Sequence, residues 1–97
     1  MSNQFGNKLK ELRLKNNLYQ KHIANALNID TPLYSKIERG ERKAKKEQLV
    51  ILADILKINM DDLTTVWLAD QVLDVLKDEK LAKQALKEVS NNINQSK

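Results

Sequence analysis

Gly6, Pro32 and Gly40 are the only glycine and proline residues in a chain of 97. Folds rich in β-structure use these types at most of their turns, so the chain is expected to be all-helical. Its apolar residues agree. They recur three and four apart at Phe5, Leu9 and Leu12, again at Leu49, Leu52, Ala53 and Leu56, and again at Leu81, Ala82, Ala85, Leu86 and Val89. The length fits one domain, or one domain with a helical appendix. With no cysteine, disulfide frameworks, thiolate metal sites and thiol nucleophiles are excluded. The longest apolar run, residues 49–53, is far below the roughly 20 residues of a membrane span. Residues 1–10 hold no apolar leader segment, so a cytoplasmic location is expected.

Six helices are expected. The first covers about residues 4–16 and stops at Asn16-Asn17, whose short amides compete with the helical backbone. The second covers 20–27 and buries Ile23, Ala24 and Leu27, with Asn28 closing it in the left-handed conformation. Asp30 or Thr31 caps the third, Pro32 stands in its first turn, and Gly40 ends it. A fourth follows over about 46–57, with Asn59 allowing the stop. The fifth opens on Asp61-Asp62, as the helix dipole prefers, and runs through Trp67 to about 76. A sixth is expected from Asp78-Glu79 to about 92.

Charge divides the chain. Residues 1–46 carry eleven Lys and Arg against four acids, a net +7, while residues 47–97 carry six against nine, a net −3. Five of the eight residues from Arg39 to Lys46 are cationic. A run of this kind is either a solvated loop or a surface for phosphates.

The second and third helices are separated by a linker of helix-turn-helix length. At 100° per residue, Leu33, Tyr34, Ile37 and Glu38 share one arc of the third helix, and Thr31, Pro32, Ser35, Lys36 and Arg39 fill the opposite one. On wheel geometry alone that outer arc suits an ordinary surface helix better than a recognition helix entering a DNA major groove.

The residues themselves resemble a family. Gln20, Ile23-Ala24, Leu27, Ile29, Ser35 and Ile37-Glu38-Arg39-Gly40, with Leu9-x-x-Leu12-Arg13 upstream, are similar to the XRE family of phage Cro and repressor proteins. The resemblance covers about residues 5–68. It implies a lambda-repressor-like helix-turn-helix bundle of about five helices over residues 1–68, leaving residues 69–97 as a C-terminal helical extension. Two positions depart from the pattern. The turn glycine is Asn28, which keeps access to positive φ, and the usual Ser or Thr cap of the second helix is Tyr19. Asn17 or a phosphate oxygen is the expected substitute acceptor.

The resemblance also implies roles. Thr31, Pro32, Ser35 and Lys36 occupy base-facing positions, with Lys36 able to donate to guanine and the carbons of Thr31 and Pro32 able to meet a thymine methyl. Gln20, Lys21, Arg39, Arg42, Lys43 and Lys45 are expected at phosphates, which position the protein without reading sequence. Arg13 and Glu38 are expected as an ion pair between the first and third helices. His22 reads as a surface residue rather than a metal ligand, and Tyr34 as core with its hydroxyl at the rim.

Trp67, Leu73, Leu76, Leu81, Leu86 and Val89 offer more apolar surface than exposed helices carry, and a dimer interface is expected of them. The resulting expectation is a homodimeric regulator on a near-palindromic operator, of the kind that includes restriction–modification controllers. An antitoxin or anti-repressor that binds a partner protein through its C-terminal helices is the alternative. Double-stranded DNA and a second copy are the expected partners, and no cofactor or metal is implied. An enzyme is disfavoured because no Gly-rich phosphate loop and no His–Asp–Ser constellation is present.

Overall fold

Asn3 sets the first helix. In the computed structural model, which describes residues 3–95, its side-chain oxygen accepts from the Gly6 N–H at 3.2 Å while its amide donates to the Glu38 carbonyl at 2.8 Å. One asparagine thus caps α1 (Gln4–Lys15) and ties it to the end of α3 (Thr31–Glu38). The approach is so close that a Cβ on Gly6 would run into that same carbonyl and into the Asn3 side chain. A second cap comes from far along the chain. Asp70 accepts from the Phe5 N–H at 2.8 Å and the Gln4 N–H at 3.3 Å, placing a carboxylate on the positive end of α1.

The remaining elements are α2 (Gln20–Leu27), α4 (Gln48–Ile55), α5 (Met60–Leu76) and α6 (Ala82–Gln95). Four of the helices end in the same way. Asn17, Asn28, Gly40 and Lys57 take positive φ. The following residue then donates back five positions: Leu18 to Arg13, Ile29 to Ala24, Glu41 to Lys36 and Ile58 to Ala53, at 2.9–3.0 Å. Leu18, Ile29 and Ile58 also pack against the core, so three of these four reversals are pinned by an apolar contact.

Several boundaries differ from the expected ones. Lys57, not Asn59, closes α4; Asn59 instead caps α5, accepting from the Asp61 and Asp62 N–H groups at 2.8 and 3.1 Å. Residues 45–47 turn before α4 begins, with Gln48 accepting from the Lys45 N–H at 2.8 Å. Asp78 and Glu79 lie in a turn rather than opening α6, which leaves Leu81 outside that helix.

The bundle forms by α1 packing on α3 and α5, α2 on α3 and α4, and α4 on α5. Leu9, Ile23, Tyr34, Leu49, Leu52, Leu56 and Leu63 are fully buried at its centre. Each such side chain contributes about 1.5–3 kcal/mol, so this centre carries the stability of the whole. Trp67 corrects an expectation. It was grouped with the C-terminal apolar residues, yet it is buried in the core of its own chain, with Nε1 donating to the Ala44 carbonyl at 2.8 Å. The period explains it, since Trp67 lies one turn after Leu63 on the inner face of α5. Tyr34 corrects another. Its ring is 0% exposed, and its hydroxyl is buried without a hydrogen-bond partner instead of reaching the rim.

Beyond Trp67 no described residue is buried. Leu68, Val72 and Val75 stand on the face of α5 opposite Leu63, exposed, and α6 exposes Leu86, Val89 and Ile93. Between them runs a groove of about 480 Å³ lined by Val72, Val75, Leu76, Ala85, Leu86, Val89, Ser90 and Ile93.

Candidate nucleic-acid interface

Three local features seat α3. Asp30 caps it, accepting from the Leu33 N–H at 2.8 Å, and Pro32 follows within the first turn, where a missing N–H costs nothing. Asn28 at φ 57° makes the reversal from α2, doing the work the family usually gives to glycine. Tyr34, Ile37 and Glu38 are then buried, while Thr31, Pro32, Lys36 and Arg39 are exposed and Ser35 is half-buried. The two arcs of the sequence wheel are therefore the inner and outer faces of α3.

Glu38 locks the inner face. Its carboxylate accepts from Arg13 Nε at 2.7 Å, from Arg13 Nη2 at 3.2 Å and from Gln20 Nε2 at 3.1 Å. Arg13 also donates from Nη1 to the Leu18 carbonyl at 3.1 Å. The hydrogen bonds that Arg13 donates to Glu38 hold its guanidinium above its ordinary range, outweighing the opposing effect of burial. Gln20, expected at a phosphate, here turns its amide onto Glu38 and joins α2 to the α1–α3 clamp.

At the start of α2 the Tyr19 side chain caps none of the first N–H groups, and the His22 N–H donates to the Tyr19 carbonyl at 3.0 Å. His22 Nδ1 accepts from the Tyr19 N–H at 2.9 Å, reaching back from the third helical position. The two rings stack at 5.5 Å, and the Lys21 ammonium lies 5.7 Å from the Tyr19 ring centre. His22 is thus a capping residue at the surface, a role its spacing of three from the cap position signalled.

The basic loop after α3 is anchored rather than loose. Ala44 is buried, the indole N–H of Trp67 holds its carbonyl, and the Lys43 ammonium lies 5.7 Å from the Trp67 ring centre. Arg42, Lys43, Lys45 and Lys46 remain exposed around this anchor. Arg39 is engaged in the free protein. Its Nε and Nη2 donate to Glu41 at 2.7 and 3.3 Å, and its Nη1 donates to the Ser35 hydroxyl. Gly6, Asp70 and the tie from Asn3 to Glu38 carry no local signal, because the groups that meet lie 32–66 positions apart in the chain.

A short helix with an exposed polar face is thus seated by an ion pair and followed by an anchored cationic loop. A model of the helix-turn-helix family matches residues 9–63, more than half of the chain. The chain belongs to the helix-turn-helix family. It is of the XRE type and a DNA-binding transcription regulator, and its bundle is lambda-repressor-like, extended here by α6. No match is found among curated proteins or among solved structures. In this helix-turn-helix protein α2 and α3 form the motif, and both fall within the matched span. Among the described residues no group of three or more His, Cys, Asp or Glu side chains is placed to hold a metal. No helix among the described residues is long and apolar enough to cross a membrane.

Proposed function

We propose that this regulator binds a near-palindromic operator as a homodimer in the cytoplasm, with Thr31, Pro32, Ser35 and Lys36 at base edges. Arg39, Arg42, Lys43 and Lys45 lie along the phosphates, with Lys21 and a released Gln20 at the start of α2. The observation that carries the reading is the exposed outer arc of α3, with a cationic loop anchored beside it. A single such helix reads too few base pairs for useful specificity, and two half-sites about 34 Å apart supply it.

The second copy is assigned to the C-terminal hairpin. The fourteen residues of α6 bury none of their side chains, and a helix of that length is marginal alone in water. Leu73, Leu81, Leu86 and Val89 are exposed on this hairpin and Leu76 is half-buried. Two such hairpins closing face to face make a four-helix layer, an isologous contact that hides both grooves.

The same groove supports a second reading, in which it receives an apolar helix of another protein, as an antitoxin or anti-repressor would use it. Sedimentation of the chain, paired with a mobility shift on the DNA just upstream of its gene, separates the two. The dimer reading predicts a stable dimer that shifts this DNA, and a Leu86→Asp variant that is monomeric and shifts it only at much higher concentration. A monomer that binds DNA as well as Leu86→Asp does would remove the dimer.

A further inference from the structure

Glu41 stands inside the densest cationic stretch of the chain, and its position is unusual by the chain's own pattern. At three of the four helix ends that share the five-back hydrogen bond, the residue after the positive-φ position is apolar and packs inward: Leu18, Ile29 and Ile58. At the end of α3 that residue is Glu41. Its N–H donates to the Lys36 carbonyl at 2.9 Å, so its backbone is fixed, but its side chain is exposed and turned back along the outer arc. There it takes two donors from Arg39, which in turn donates to the Ser35 hydroxyl. The Arg39 hydrogen bonds, and to a lesser degree the charges of Arg39 and Lys36, hold the Glu41 carboxyl below its ordinary range. A carboxylate therefore lies where a phosphate oxygen would have to lie to meet Arg39.

We propose that Glu41 is an internal competitor for DNA phosphate, holding Arg39 across Ser35 in the free protein and weakening attachment to any duplex. The proposal rests on the outer arc of α3 and its flanking loop being the DNA face. The chemistry is an exchange of one anion for another. When Arg39 leaves Glu41 for a phosphate, the new pair replaces the old one, and Glu41 is left facing a polyanion. Binding to random sequence comes almost wholly from phosphate neutralisation, so the tax falls most heavily there, where no base contact offsets it. Glu41 is thus a determinant of specificity that touches no base.

The test needs no operator. Wild type, Glu41→Gln, Arg39→Gln and the double variant are titrated against a random-sequence duplex of about 30 base pairs, over a salt series of about 50 to 200 mM. Melting curves run alongside, and those of Glu41→Gln and wild type are expected to coincide because the pair is on the surface. Glu41→Gln is expected to bind about tenfold more tightly as a dimer, with a log–log salt slope steeper by about one per subunit. In the Arg39→Gln background the gain from Glu41→Gln should largely vanish. Equal affinity of Glu41→Gln and wild type overturns the proposal, as does an undiminished gain without Arg39, which would reduce the effect to net charge. A wild type that ignores the duplex even at the lowest salt would instead overturn the DNA-face reading, and this proposal with it.

Discussion

Glu38 accepts from three side-chain donors on α1 and α2, and its own side chain is almost wholly enclosed. Taking one partner from a buried pair strands the other, at a cost of about 3–5 kcal/mol. Glu38→Ala should therefore lower stability by about that amount in urea or thermal unfolding, with Arg13→Ala close behind. Tyr34 gives a second prediction. Burial first, and the nearby Glu38 carboxylate second, raise its phenol above the ordinary value of 10.0. The folded chain thus keeps a proton that the unfolded chain gives up. The stability linked to this group is fully present below about pH 10 and falls as the pH rises past it, by up to ~1.4 kcal/mol per unit. In Tyr34→Phe that decline should be absent when denaturant melts are compared from pH 8 to 11. Its stability at pH 7 should stay within about 1 kcal/mol of wild type, because the burial cost of the hydroxyl and its attraction to the Glu38 carboxylate are removed together.

At the scale of elements, the helix ends separate what local sequence discloses from what it does not. Asn17 and Asn28 were readable as reversals because asparagine tolerates the left-handed region. Lys57 was not, because lysine carries no such signal and takes φ 57° only since Ile58 is drawn into the core behind it. Lys57→Gly should relieve about 1 kcal/mol of strain, raising the melting temperature by several degrees in calorimetry. Asp78-Glu79 misled in the opposite direction: two acids after a helix look like the next helix start, yet they form a turn. The two arcs of α3 followed directly from the helical period. The Arg39–Glu41 contact did not. Residues two apart do not face each other on a helix, and these meet only because α3 ends at Glu38 and the chain reverses at Gly40. Asp70 capping α1, and Trp67 anchoring the basic loop, depend on how α5 packs, which no local pattern records.

Across the whole molecule, the change from net positive to net negative charge falls before α4, whereas the change from buried core to uncovered apolar surface falls only after Trp67. Residues up to Trp67 contain every buried side chain described, together with α3 and its cationic loop. Beyond Trp67, the end of α5 and α6 line the uncovered apolar groove. If each subunit neutralises about four phosphates, the log of the dimer's operator affinity should fall against log salt with a slope near −7. A slope near zero would remove the phosphate role from residues 39–46. The central claim is that the outer arc of α3 reads DNA sequence while the inner arc holds the fold. Competition binding of Lys36→Ala, between the upstream DNA and random sequence, tests it most directly. Lys36→Ala is expected to lose roughly ten- to hundredfold of the preference for the upstream DNA, with unfolding unchanged from wild type. Undiminished preference in a folded Lys36→Ala protein would contradict it.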